Sequence, residues 1–134
     1  MKVLQFAFGD NFGESPYIPH NYTENFVVYT GTHDNNTTRG WYRKDIKAAE
    51  REQLDEYTGK KLSARNVADE LIRIAYGSVA KTAIIPMQDV LNLDEKARMN
   101  VPSSASDNWV WRMREMPDEE ALLKLQRLTR VFNR

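Results

Sequence analysis

Residues Phe26–Trp41 read FVVYTGTHDNNTTRGW, and the change of character inside this stretch decides the fold. Phe26 to Thr30 is β-branched and aromatic, the composition of a strand. Gly31 breaks the run. From Thr32 to Arg39 every side chain can form hydrogen bonds, with His33 and Asp34 adjacent at the strand end. In parallel α/β sheets and barrels, ligand sites lie beyond the C-terminal ends of the strands. A cluster this rich in donors and acceptors suits a polyhydroxylated ligand.

Two further strands are read on either side. Val3 to Phe8 (VLQFAF) is a nearly continuous apolar run, as expected of a strand buried on both faces. Thr82 to Ile85 (TAII) is closed by Pro86. Helical signals fill the rest. Lys44 to Tyr57 is charged with few apolar positions and reads as an exposed helix. Ser63 reads as the N-cap of a helix whose Val67, Leu71, Ile74 and Ala75 recur at helical spacing and which ends near Gly77. A last helix is expected over Asp118 to Phe132, with acids in its first turn, Arg127 and Arg130 near its end, and Leu122, Leu125, Leu128 and Phe132 as a buried stripe.

Strands alternating with helices predict parallel β/α units. Three such strands make a poor independent sheet, because strands this apolar need cover on both faces. A (β/α)₈ barrel typically takes about 250 residues. The 134 residues are therefore read as one α/β unit, part of a larger barrel, with its first strand cut from something longer.

Composition narrows the function classes. Lys plus Arg and Asp plus Glu both number 19, so no net field draws the chain to nucleic acid or an anionic membrane. No apolar stretch approaches the ~20 residues that span a bilayer, and the first residues lack the pattern of a secretion signal. The absence of cysteine excludes disulfides and thiolate metal sites and fits a cytoplasmic location. The two histidines, His20 and His33, belong to no metal-ligand pattern, and no phosphate-binding glycine motif or nucleophile elbow is present. Neither metal nor cofactor is expected.

Three segments follow the strands. Gly9 to Asn25 is long and without clear pattern, and its Tyr17, His20 and Tyr22 argue for an ordered loop. Gly31 to Trp41 carries His33 and Asp34. Pro86 to Asn100 carries Gln88, Asp89, Arg98 and Asn100. Each has a structural alternative. Asp34 is equally suited to cap a helix starting near Thr37, and His33 to satisfy a buried carbonyl. Asp10 and Asp89 suit turns or caps. Phe6 and Phe8 are core residues by default, and Trp41, Trp109 and Trp111 are either core residues or sugar-stacking platforms.

The motifs KVLQFAF (2–8), YIPHNY (17–22), VVYTGTHDNNTTRGWY (27–42), IIPMQDVL (84–91), ARMN (97–100) and NWVWR (108–112) occur in that order. Together they resemble the C-terminal section of the amylomaltase-type 4-alpha-glucanotransferases of glycoside hydrolase family 77. The resemblance implies the last three β/α units of a (β/α)₈ TIM barrel. It implies a reaction that cleaves an α-1,4-glucan, holds the glycosyl fragment covalently and passes it to the 4-hydroxyl of another glucan. Retaining chemistry of this kind uses a nucleophile and an acid/base about 5–5.5 Å apart. In the family both come from earlier barrel strands, so neither matches a residue here. This implies an inactive piece without the remainder of the barrel, or alternatively a glucan-binding module without catalysis. Asp34 matches the family's third carboxylate, implied to grip the hydroxyls of the distorting sugar, with His33 donating to the same sugar. Asp10 matches an acid implied in acceptor binding, and Phe6 and Asn100 match pocket-lining positions. Many relatives have an acid where this chain has Asn36, and some have one in place of Gly9, which bears on fine specificity.

Overall fold

The computed structural model describes residues 1–134. Three short strands, β1 (Lys2–Val3), β2 (Val27–Tyr29) and β3 (Thr82–Ile84), form one sheet in the order β1-β2-β3. Both pairings are parallel, with Val28 opposite Lys2 on one side and opposite Ala83 on the other. The second and third strands lie where the sequence places them. The first does not extend to Phe8. It stops at Val3, and Leu4–Phe6 tightens into a 3₁₀ turn closed by the Ala7 N–H on the Leu4 carbonyl. The apolar run fills the core as a turn: Leu4, Ala7 and Phe8 are buried, while Phe6 points out and is 52% exposed. Its partner β2 also ends at Tyr29, so nothing continues the ladder.

The long segment after Phe8 is ordered. It holds 3₁₀ turns at Phe12–Glu14 and Pro19–Asn21, and the side chains of His20 and Asn21 both reach the Gly13 carbonyl at 3.0 Å. Ile18 is fully buried beneath them.

After β2 the chain forms a single turn, α1 (Thr38–Gly40), then a π-helical turn over Trp41–Asp45, and only then α2 (Ala48–Thr58). The single helix expected over Lys44–Tyr57 is thus broken at Ile46 and Lys47, both extended. The break is stabilised by the Glu50 carboxylate, which accepts the Lys47 N–H at 2.9 Å. Next comes α3 (Val67–Gly77), whose Val67, Leu71 and Ala75 are buried and whose Ile74 is half-buried. Ser63 does not cap it. The cap position is Asn66, and its side-chain oxygen turns back to accept from the Ser63 N–H (2.7 Å), closing a separate turn ahead of the helix. Gly77 is the last helical residue; a Cβ there would lie 3.1 Å from the Phe132 ring, so glycine lets the end of the chain pack close.

A short helix, α4 (Met87–Val90), follows Pro86, and α5 (Glu119–Val131) is capped by the Asp118 carboxylate on the Ala121 N–H at 2.9 Å. The stripe expected to bury α5 is not buried. Leu122 is 53% exposed, and Leu125, Leu128 and Phe132 are half-covered. The helix lies mainly against α3, with a Lys124–Asp69 ion pair at 3.1 Å between them. The core therefore sits around β1, β2 and the inner faces of α2 and α3, built on Leu4, Phe8, Val28, Leu54 and Leu71. Ile84 on β3 is 43% exposed. No helix is long and apolar enough to cross a membrane.

Candidate functional site

Two loops beyond the C-terminal strand ends build the site. The first, residues 30–37, follows β2. Its shape is set by Asn35, whose side-chain oxygen accepts from the Thr32 N–H (2.9 Å) and the Thr32 hydroxyl (2.8 Å), while the Asn35 N–H returns to the Thr32 carbonyl (3.1 Å). This closed turn drives His33 and Asp34 outward, and both side chains are about half exposed. Gly31 is required by close approach: a Cβ would stand 2.5 Å from Gln5 Nε2, which donates to the Asn36 carbonyl across the buried base of the loop.

The second loop, residues 91–100, follows α4. Gln88 Nε2 holds the Ala97 carbonyl at 3.2 Å, and a 3₁₀ turn at Glu95–Ala97 is capped by Asp94. Lys44 pairs with Glu95 at 2.6 Å and Arg43 lies 3.6 Å from it. The Lys44 hydrogen bond, helped by both cations, holds the Glu95 carboxyl below the usual range.

The loops are then stitched together. The Asn100 N–H donates to the His33 carbonyl (3.1 Å), and Asn100 Nδ2 donates to Asp34 Oδ1 (2.6 Å). Arg98 donates from Nη2 to the Asp34 carbonyl at 2.7 Å and from Nε to the Asn100 carbonyl at 2.8 Å. His33 Nε2 lies 3.3 Å from Asp34 Oδ1, and its ring sits 5.0 Å from that of Trp109. Trp109 takes a left-handed backbone, φ 63°, and donates its N–H to the Met99 carbonyl at 2.7 Å. Such conformations cost energy for a bulky residue and persist where surrounding contacts impose them.

Beneath the loops lies Asp89, 2% exposed. Its carboxylate accepts from the Thr30 hydroxyl (2.5 Å), the Thr38 N–H (2.8 Å) and the Thr38 hydroxyl (2.7 Å), tying the end of β2 and the start of α1 to α4. Burial pushes this carboxyl above the usual carboxylate range; its three hydrogen bonds oppose that shift without overcoming it. A small cavity of about 180 Å³ opens between the loops, lined by His33, Asn35, Gln88, Asp89, Arg98 and Trp109 among others.

Of the five side chains singled out from sequence, His33, Asp34 and Asn100 are brought together. Phe6 stands apart, edge-on to Tyr17 at 5.5 Å, and Asp10 lies exposed in the loop after Phe8. Phe6 is therefore not the core residue that its strand position suggested. The capping alternative for Asp34 does not hold, because Thr37 caps α1 with its own hydroxyl on the Gly40 N–H at 3.0 Å. Nor does His33 serve a buried carbonyl. Trp41 is core at 7% exposure, whereas Trp109 is 54% exposed beside His33. Sequence reasoning assigned no role to Arg98 and treated Asp89 as a turn or cap residue. Their partners at positions 30, 34 and 38 lie too far along the chain for any local pattern to reveal. No three side chains of His, Asp or Glu type converge to offer a metal donor set.

The sequence profile described as 4-alpha-glucanotransferase, glycoside hydrolase family 77, matches residues 1–118. The 4-alpha-glucanotransferase of Clostridium butyricum is 44% identical over all of this chain, which spans 27% of that protein. That of Streptococcus pneumoniae is 47% identical over 99% of the chain, again 27% of the relative's length, and that of Thermus thermophilus is 47% identical over 84%, or 23% of its own length. Among solved structures, amylomaltase from Streptococcus agalactiae in complex with acarbose superposes with a TM-score of 0.92 at 36% identity, covering 100% of this chain and 27% of that one. The chain spans about a quarter of the length of these relatives, and it belongs to the 4-alpha-glucanotransferases of glycoside hydrolase family 77.

Proposed function

We propose that residues 1–134 are the last three β/α units of a (β/α)₈ barrel 4-alpha-glucanotransferase, working on α-1,4-glucans as part of a longer cytoplasmic enzyme. The parallel order β1-β2-β3, and the exposure of Ile84 on β3 where parallel sheets are normally covered, support a sheet that belongs to a larger assembly of strands and helices. The observation that carries the reading is Asp34. Its carboxylate stands at the end of β2, exposed, already paired with Asn100 and flanked by His33.

The reaction breaks the glycosidic C–O bond of a donor glucan, transfers the glycosyl fragment to a carboxylate nucleophile, and then moves it to the 4-hydroxyl of an acceptor. The acid/base carboxyl gives a proton to the leaving oxygen and takes one from the acceptor. Asp34 accepts hydrogen bonds from the hydroxyls of the sugar whose ring flattens, and His33 donates to the same sugar. Bonds that strengthen in the oxocarbenium-like transition state lower the barrier by several kcal/mol. Phe6 offers an apolar face to the glucan, Asp10 an acceptor-side carboxylate, and Asn100 holds the Asp34 carboxylate towards it. Asp89, the carboxylate lining the cavity, is sealed and triply hydrogen-bonded, so it does not attack. The nucleophile and acid/base come from the remainder of the barrel, and the isolated chain is inert.

The test is disproportionation of maltotriose. The full-length enzyme should yield glucose and longer oligosaccharides, and Asp34→Asn should lower its turnover by roughly 10²–10³-fold, the equivalent of several kcal/mol. Near-normal turnover in that variant removes Asp34 from the mechanism. A second reading, a glucan-binding module, is favoured by the exposed Trp109 beside His33, both within this chain. Calorimetry of the isolated chain with acarbose or maltotriose separates the two. Saturable heat at millimolar ligand supports binding alone, and its absence supports dependence on the rest of the barrel.

A further inference from the structure

We infer that Arg98 is the positioning residue that sets the Asp34 carboxylate, and that it does so through the main chain; the inference rests on the reading of Asp34 just given. Its guanidinium reaches across from the second loop. One nitrogen donates to the Asp34 carbonyl (2.7 Å) and another to the Asn100 carbonyl (2.8 Å). Those are the two residues whose side chains meet at 2.6 Å. A planar fork with fixed N–H directions therefore fixes the spacing of two backbones, and that spacing fixes the side-chain pair. Lysine has a single nitrogen on a flexible stem and cannot hold both carbonyls in one plane.

Two details argue that Arg98 is more than a loop staple. It forms no ion pair with any acidic side chain, so its charge is satisfied by carbonyl oxygens next to the Asp34 carboxylate. And both protein groups that approach the Asp34 carboxylate approach the same atom. Asn100 Nδ2 and His33 Nε2 both lie against Oδ1, at 2.6 and 3.3 Å. Oδ2 is left for a ligand hydroxyl. If the loops slid apart, Asn100 would lose Oδ1 and the carboxylate would be free to rotate. Arg98 thus decides which oxygen faces the sugar.

The experiment reads the Asn100 side-chain amide of this chain by nitrogen–proton NMR, with no sugar present. One of its two protons bonds a carboxylate and should resonate well downfield of the other. Asp34→Ala, which leaves Asn100 Nδ2 without its acceptor, supplies the reference spectrum of the broken pair. Arg98→Gln and Arg98→Lys should both collapse the separation towards that reference while the amide fingerprint of α3 stays in place. An unchanged Asn100 signal in both variants overturns the inference. So does loss of the α3 fingerprint in both, which would make Arg98 a general structural residue. A kinetic arm uses the full-length enzyme: Arg98→Lys should lower kcat for maltotriose about tenfold with KM changed less than about twofold, the signature of an interaction felt mainly in the transition state. A tenfold rise in KM at constant kcat also overturns it. If the unaltered full-length enzyme fails to disproportionate maltotriose, the transfer reading falls, and the NMR arm still decides the role of Arg98.

Discussion

Asn100 Nδ2 donates to Asp34 Oδ1 across 2.6 Å, although the two residues are 66 positions apart and sit on different loops. The parallel sheet makes this meeting possible. Both loops leave the same end of the sheet, so residues after β2 and residues after β3 converge there.

Replacing Asn100 by Asp puts two carboxylates at that short distance. Repulsion should drive the loops apart at neutral pH, and sharing one proton should restore the contact as the solution is acidified. Turnover of N100D relative to the unaltered full-length enzyme should therefore rise as pH falls from about 7 to about 5. A flat or falling ratio across that range would show that the two side chains do not interact in the working enzyme.

Asp89 is predicted to matter for stability. Asp89→Ala leaves the Thr38 N–H and two hydroxyls without their acceptor in a buried place, which should cost about 2–4 kcal/mol in urea unfolding. Asp89→Asn retains an acceptor and should cost less. The pH dependence has a definite sign. Burial raises the folded-state pKa of this carboxyl above its unfolded value, so the folded chain holds the proton more tightly. Its contribution is then fully present below the ordinary Asp range near ~4 and declines as pH rises through the folded value. The stability difference between the unaltered chain and D89N should shrink between acidic and neutral pH; growth of that difference would contradict the burial argument.

Gly31→Ala should displace Gln5. The new methyl would sit 2.5 Å from Gln5 Nε2 and break its bond to the Asn36 carbonyl, a loss of about 1–3 kcal/mol. Combined with Gln5→Ala, which vacates the same space, the two losses should fall short of additive by about 1 kcal/mol. Strict additivity in a denaturant double-mutant cycle would mean that Gly31 and Gln5 are independent.

Amide hydrogen exchange should rank α5 below α3. No residue of α5 is buried, whereas α3 buries Val67, Leu71 and Ala75. The Lys124–Asp69 pair joining them is half exposed on both sides and adds at most about 1 kcal/mol. Asp69 is the main cause of the raised Lys124 pKa, but solvent screening keeps that coupling weak. Equal protection in the two helices would show that α5 is held by more than its contacts in this chain.

The limits of the sequence reading follow from the range of each signal. Strand β2 was legible because composition alone marks a buried strand, and the start of α5 near Asp118 was legible because acids in a first turn are a local signal. The helix read over Lys44–Tyr57 is present from Ala48, but its start was missed because the interruption at Ile46–Lys47 depends on Glu50 folding back, a local choice that charged residues do not disclose. The stripe on α5 failed for the opposite reason. Its periodicity is real, but periodicity says which face is apolar, not whether anything covers it. Phe6 turned outward because β1 ends early, which depends on how far β2 runs beside it.

From the order of residues alone came the parallel β/α character, the polar cluster after β2, and the motifs that mark the family, since each is written in contiguous stretches. Only the folded chain decided that Asp34 pairs with Asn100, that Arg98 holds both backbones, and that Asp89 is a sealed tie between Thr30 and Thr38. Those contacts join loops that are distant in the chain. Their geometry is fixed by the packing of the elements between them, and no local preference encodes it.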